Sequence, residues 1–375
     1  MDEHQDILKE LNKSIHLSVK LESIHKVLKD RFPFIDRIAV AVYDAKTDLL
    51  KTFSHSSGPR APLIHYEARL GESRSLMEIL KTGKPRVIND LSVFEPPLRE
   101  HTKRIAAQGY ASSYTMPMYV NDTFFGFVFF DSYEKNAFVP DALRHLDVFG
   151  HLISLTVLND LMAIRTMLAT VKAVRDITAT RDLETGAHLD RMAHYARLIA
   201  KGLADQYHFD DEFIEHIFLF APLHDIGKIG VPDAVLRKKD KLTAEEFELM
   251  KSHAENGRRL VEAMLKDFGL ESFQHIDVMR NIAEYHHETM DGQGYPMGMK
   301  GKTIPIEARI IAVADVFDAL TSRRPYKMAW TNEEAFTALR RLAGKQLDPD
   351  CVEALIRSAD RLDEIQRRFH EDPSG

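Results

Sequence analysis

The chain has 375 residues, 44% of them hydrophobic and 29% charged, which is enough for two domains of ordinary size, each with its own core. Asp and Glu outnumber Lys and Arg by 57 to 50, and the net charge of −7 excludes the broad basic surface of a non-specific binder of nucleic acid polymers or anionic membrane. The one cysteine, Cys351, excludes an intramolecular disulfide and a cysteine-rich zinc site, and fits a reducing cytoplasm. The start, MDEHQDILKE, is acidic and polar and lacks the basic and apolar regions of a signal peptide. Residues 5–30 place Ile7, Leu8, Leu11, Ile15, Val19, Leu21, Ile24, Val27 and Leu28 at helical spacing and predict a helix. IDRIAVAVYD at 35–44 and LLKTFS at 49–54 predict two strands around the turn DAKTD. SLMEILKTG predicts a short helix stopped by Gly83, RVIND at 86–90 a short strand, and LREHTKRIAAQG a helix stopped by Gly109. YTMPMYV and TFFGFVFFDS form a hairpin through Asn121 and Asp122, both good turn residues.

From Pro140 to about Arg175 the pattern is one long helix, rich in Leu, Ile and Val. The most apolar short run, FFGFVFF at 124–130, is too short to cross a bilayer, so a soluble cytoplasmic protein with no membrane association is expected. After residue 155 the β signals fade. Thr243 with Glu246, and Thr331 with Glu334, form capping boxes, the second before a helix that should stop near Gly344. Pro305 and Pro349 can each start a helix. The fold class expected is therefore two-domain, α/β plus all-α. An antiparallel sheet flanked by helices occupies 1–155, a connecting helix runs over 156–178, continuing from about 140, and a helical domain fills 179–375.

Five islands in the second half carry metal-ligating residue types. ETGAHLDRM holds Glu184 and His188, four apart and so on one helix face. HDIGKIG holds His224, Asp225 and Lys228; KSHAENG holds His253; YHHETMDGQGYPMG holds His286 and His287; AVADVFDAL holds Asp315. Imidazole and carboxylate ligands suit zinc, iron or manganese, and there are enough for more than one ion. Two ions roughly 4 Å apart can activate water and screen the charge of a phosphoryl transition state, with a carboxylate such as Asp225 as bridge. Each island alone is weak, because histidines are common on helix surfaces. A carboxylate at Asp315, in the apolar ARIIAVAD helix, is costly unless paired.

These stretches, together with GKTIPIEARIIAVADVFDALTSRRPYK, make residues 176–375 resemble the HD-GYP domain, a bacterial branch of the HD phosphohydrolase superfamily that hydrolyses cyclic di-GMP. The resemblance implies that His188, His224, Asp225 and Asp315 are the ancestral metal ligands, with Asp225 bridging. It implies that His253, His286 and His287 enlarge the site. Glu184 matches a carboxylate of members that hold a third ion, so two or three divalent ions are implied, iron or manganese rather than zinc. Lys228 would stabilise charge on a phosphate oxygen. Gly292, Gly294, Tyr295 and Pro296 form the loop that names the family, where the glycines permit a tight turn near the ligand and Tyr295 suits a guanine base or phosphate. Asp291 would hold that loop. Arg324 and Lys327 match phosphate- and guanine-contacting positions. The implied reaction opens a phosphodiester of cyclic di-GMP to linear pGpG, and a second cut gives GMP. The alternatives are preference for cyclic GMP-AMP, and a slow or inactive receptor that signals through partner proteins.

Residues from about 20 to 155 resemble a GAF domain, through the order of elements and the ending MPMYVNDTFFGFVFFDSYEKNAFVPDALRHLDVFGHLISL. Such domains bind small ligands or a partner. No ligand is named from sequence; His55, His65 and His101 are candidate haem or ligand contacts, with ordinary surface histidines the favoured reading. The resemblance and the apolar connecting helix together imply a homodimer with parallel helices and a regulatory role for the first domain.

Overall fold

The computed structural model describes residues 6–58, 64–94, 107–177, 186–271, 275–322 and 329–370. Two compact units result, Met1–Arg165 and Thr166–Gly375.

The first unit is built on a six-stranded antiparallel sheet: β1 (Arg37–Asp44), β2 (Leu49–Ser57), β3 (Glu67–Arg69), β4 (Arg86–Ile88), β5 (Ser112–Val120) and β6 (Thr123–Ser132), in spatial order β3-β2-β1-β6-β5-β4. The β5–β6 hairpin turns through Asn121 and Asp122 at φ 45° and 62°, the left-handed pair that matches the twist of a tight hairpin. Helices α1 (Leu17–Arg31), α2 (Arg74–Thr82) and α3 (Pro140–Ile177) complete the unit. One face of the sheet carries Ala41, Leu50 and Phe127, packed with Leu70 and with Ile79 of α2. Alternation turns Tyr114 to the other face, where its hydroxyl bonds Asp147 of α3.

One sequence expectation differs from the structure here. The first helix begins at Leu17, not near residue 5, with only a 3-10 turn at Lys9–Asn12 before it. Lys13 is extended, which breaks the helical spacing, and Ile7 lies 67% exposed with no core to face. The edge strand β3 is too short to show alternation, and sequence reasoning did not find it. The helix expected over LREHTKRIAAQG falls mostly outside the described residues.

Helix α3 spans the boundary between the two units, which falls after Arg165. By length and hydropathy its stretch Pro140–Ala173 is long and apolar enough to cross a membrane, a test that the run at 124–130 fails on length. Ile153, Val157, Leu161 and Ile164 are buried, and Asp160 pairs with Lys20 of α1 at 3.1 Å, so one face of α3 is core within the first unit.

The second unit is helical among the described residues: α4 (Gly186–Tyr207), α5 (Asp211–Phe220), α6 (Asp233–Leu236), α7 (Ala244–Asp267), α8 (Ile276–Tyr285), α9 (Ile306–Thr321), α10 (Asn332–Leu342), α11 (Pro349–Arg357) and α12 (Ala359–Arg368). Both capping boxes form, with Thr243 and Thr331 as N-caps of α7 and α10. Such a cap contributes about 1 kcal/mol. Helix α4 runs through the core, with Tyr195, Ile199 and Leu203 buried, and packs against α5, α9 and α11.

Candidate metal centre

Five stretches of chain meet at one end of α4. His188 stands in its first turn. His224 and Asp225 lie between two 3-10 turns, Ala221–Leu223 and Ile226–Gly230. His253 projects from α7, His286 and His287 follow the end of α8, and Asp315 lies on α9. The short turn holding Lys228 lies directly on α7. A Cβ at Gly227 would fall 1.9 Å from the His253 carbonyl oxygen and 2.4 Å from the Gly257 nitrogen, so only glycine permits this approach.

The ligand atoms form two groups. Asp225, His253, His286 and His287 each offer an atom within 4.8 Å of the others, and so do His188, His224 and Asp315. Asp225 faces both groups. Its Oδ1 lies 3.2 Å from His253 Nε2 and 3.7 Å from His286 Nε2, while its Oδ2 lies 3.1 Å from His224 Nε2.

Hydrogen bonds fix which ring nitrogen of each imidazole is available. Nδ1 of His224, His253 and His286 meets the backbone carbonyls of Ala221, Met250 and Ile282 at 3.0, 2.7 and 2.9 Å. A carbonyl only accepts, so in the neutral ring each Nδ1 carries the proton and each Nε2 presents a lone pair. The Nε2 atoms of His253 and His286 then lie 3.4 Å apart, lone pair towards lone pair, beside a carboxylate oxygen. That arrangement is repulsive with nothing between and favourable around a cation, so these residues fit a divalent metal.

Protonation points the same way. Burial pushes His253 down to about 4, against the opposing pull of Asp225. Burial and the His286 ring push His287 lower still. Burial alone would raise the Asp225 carboxyl, but His224 and Lys228 beside it overcome that and hold it well below the usual carboxylate range. His253 and His287 therefore present neutral imidazoles and Asp225 an ionised carboxylate, the forms that bind metal.

Sequence reasoning missed Asp318. The His188 ring lies between two carboxylates three residues apart on α9, with Nε2 3.9 Å from Asp315 and Nδ1 2.7 Å from Asp318. Asp318 is 1% exposed, and Arg191 grips both of its oxygens at 2.7 and 2.9 Å. Arg191 also donates to Ser322 and to the carbonyl of Phe369, both at 2.8 Å. Asp318 thus does for His188 what backbone carbonyls do for the rings of His224, His253 and His286. The available signal was a second carboxylate one helical turn after Asp315.

The loop after His287 brings Tyr295 back over the centre, its ring 4.7 Å from His287 and 6.2 Å from His253. Gly292 adopts φ 80°, and a Cβ at Gly294 would fall 2.5 Å from the His287 carbonyl oxygen, so both glycines serve the fold-back; Pro296 follows Tyr295 in a cis peptide. Asp291 holds the loop as expected, accepting from Thr289 at 2.7 Å and from the Gln293 N–H at 3.0 Å. A second clamp was not foreseen. Glu288, 4% exposed, accepts the N–H groups of Met297 and Met299 at 2.6 and 2.8 Å. Lys228 lies 2.8 Å from Asp225 Oδ2, at the mouth of the centre. Glu184, Arg324 and Lys327 lie outside the described residues.

A family model described as HD domain matches residues 172–351, and one described as GAF domain matches residues 22–157. The chain carries a GAF domain followed by an HD domain. The chain is similar, at 46% identity over 171 residues, to the cyclic di-GMP phosphodiesterase response regulator RpfG of Xanthomonas campestris pv. campestris, covering 46% of this chain and 43% of that protein. It is 42% identical over 166 residues to a cyclic di-GMP phosphodiesterase of Thermotoga maritima, covering 44% of this chain and 43% of the relative. It is 37% identical over 165 residues to the 3′3′-cGAMP-specific phosphodiesterase 2 of Vibrio cholerae serotype O1, covering 44% of this chain and 30% of the relative. The matched stretch thus spans less than half of each relative. HD domains are metal-dependent, and the two ligand groups lie within the matched HD domain.

Proposed function

We propose that this chain hydrolyses a phosphodiester bond of cyclic di-GMP to give linear pGpG, using two or three divalent ions. One observation carries the reading: Asp225 faces two separate ligand groups through its two oxygens, with histidine lone pairs converging on it. His188, His224 and Asp315 would hold one ion and His253, His286 and His287 another, with Asp225 shared. Such ions supply Lewis acidity, which activates water and screens charge on the phosphoryl group. Iron or manganese suits this mixed imidazole–carboxylate set. Glu184 is the candidate ligand for a third ion.

The chain's own groups do the rest. Lys228, 2.8 Å from Asp225, would offer its ammonium to a non-bridging phosphate oxygen, where charge grows in the transition state. Tyr295, held over His287 by the Glu288 and Asp291 clamps, offers a ring and a hydroxyl to the dinucleotide. Gly292, Gly294 and Pro296 shape that loop, and Arg324 and Lys327 are the candidate phosphate and guanine contacts. Cyclic GMP-AMP is the second substrate to consider, because one of the relatives is named for it.

The test is incubation of metal-loaded chain, prepared without oxygen, with cyclic di-GMP, cyclic GMP-AMP and bis(p-nitrophenyl) phosphate, followed by chromatography. Release of pGpG supports the reading. No turnover of any diester with iron or manganese would sink it, and faster turnover of cyclic GMP-AMP would reassign the substrate.

We place the chain in the cytoplasm as a soluble homodimer in which the first domain regulates the second and signalling proteins are further partners. Val148, Leu155 and Met162 on α3 are 67%, 62% and 37% exposed. Their seven-residue spacing supports a two-stranded seam. Sedimentation of a Val148→Glu, Leu155→Glu variant should show monomer where the parent shows dimer.

A further inference from the structure

The mouth of the metal centre carries two side chains to which chemistry at the metals gives no role. Phe247, in the first turn of α7, is 46% exposed, and Lys251 follows one helical turn later on the same face. Phe247 stands edge-on to Tyr295, with 6.5 Å between ring centroids and 81° between ring planes. Tyr295 lies 4.7 Å from His287, so three rings lead outward from the ligand set to the surface. The Lys251 ammonium is 5.0 Å from the Phe247 centroid and 5.7 Å from the Tyr295 centroid, and the two rings share this one cation. Glu248 meets Lys251 at 2.7 Å, but its side chain is 69% exposed, and a surface pair of that kind contributes little.

A plain structural role exists for the Phe247 ring. Leu242 and Phe247 flank the N-cap Thr243 at the spacing of a hydrophobic staple. A staple needs only apolar bulk, which leucine supplies as well. It explains neither the open aromatic face nor the cation shared with Tyr295.

A cyclic dinucleotide brings two phosphates and two bases. While one phosphate meets the metals, the other phosphate and its base need partners elsewhere. An exposed ring beside an ammonium offers both, stacking for the base and charge for the phosphate. We propose that Phe247 and Lys251 form a second subsite, which takes the purine and the phosphate of the half that is not being cut; this rests on the diesterase reading of the metal centre. Stacking on a phenyl ring accepts either purine, because every base has a π face. The subsite therefore selects cyclic dinucleotides over small diesters without separating guanine from adenine.

Steady-state kinetics of the metal-loaded full chain test this, with cyclic di-GMP, cyclic GMP-AMP and bis(p-nitrophenyl) phosphate, which has no second phosphate. Phe247→Leu keeps the staple and removes the ring. Its KM for both cyclic dinucleotides should rise about 10-fold at near-parental kcat. The ratio of kcat/KM for cyclic di-GMP over bis(p-nitrophenyl) phosphate should fall by the same factor, and Phe247→Trp should restore both. Lys251→Met should also raise KM and flatten its rise with salt. Parental KM in Phe247→Leu, from an active parent, overturns the subsite alone and leaves the staple as the role of Phe247. Equal losses on all three substrates overturn it too. A parent that cuts none of the diesters removes the reading of the metal centre, and the subsite with it.

Discussion

Two sets of buried polar atoms, one in each domain, stand in contrast. In the HD domain the outer nitrogens of four imidazoles are each engaged, three by carbonyls of their own helical turns and one by Asp318, itself gripped by Arg191. In the GAF domain the buried Nε and Nη1 of Arg86 and the Oγ1 of Thr115 have no such answer among the described residues. The difference separates a site wired from within, whose lone pairs are aimed before any ligand arrives, from donors left unspent. Wiring of the first kind fixes tautomer and ring orientation together.

The largest blow to the wired site is Asp225→Ala, which removes the carboxylate both groups share. Turnover of any diester should fall by at least on the order of 10³-fold, and metal analysis should show both ions depleted. Full activity with full metal content would end the role given to Asp225. Next comes Asp318→Asn, which leaves every proposed ligand in place. Loss of an outer partner of this kind typically costs about 10–100-fold in metal affinity. Competition with a chelator measures it, and an unchanged dissociation constant would reduce Asp318 to a packing residue.

Glu288→Gln should do less and act elsewhere. The amide keeps one acceptor for the Met297 and Met299 N–H groups and loses the other, a penalty of about 1–3 kcal/mol at a buried donor. The expected result is a higher KM for cyclic di-GMP with near-parental turnover of bis(p-nitrophenyl) phosphate, which has no base for Tyr295 to meet. Equal losses on both substrates would place Glu288 in the metal centre and not in the loop.

The smallest effect is on pH. His253 titrates near 4 when folded against 6.5 as the ordinary value, so between these limits the unfolded chain holds more protons. Stability of the metal-free protein should be complete above about pH 6.5 and decline towards pH 4. Asp225 acts in a separate window. Its folded value is held below 3.8, so its contribution disappears only under stronger acid. Urea unfolding across this range should show a slope that His253→Gln flattens.

Much of this was legible in the residues. The capping boxes, the Asn121–Asp122 turn and the five metal islands are local signals, and the structure realises the boxes and the turn and draws the described island residues together. What stayed hidden depends on register between distant segments. Glu288 reads as one more acid after two histidines until the chain folds back nine and eleven residues later to meet it. Asp318 looks like a solubilising helix residue until α4 sets His188 and Arg191 against it. Thr115 within YTMPMYV carries no mark at all, because what stands opposite it, Arg86, belongs to the distant strand β4.

The contact of Gly227 with the backbone of α7 bears on which cation the centre can take. Side-chain ligands yield by rotating, but two backbones already in contact cannot close further. The span from Asp225 to His253 therefore has a lower stop set by peptide atoms, not by rotamers. Rigid cages discriminate ions by radius better than yielding ones do. A methyl group at Gly227 would act as a shim, widening that span without touching a single ligand.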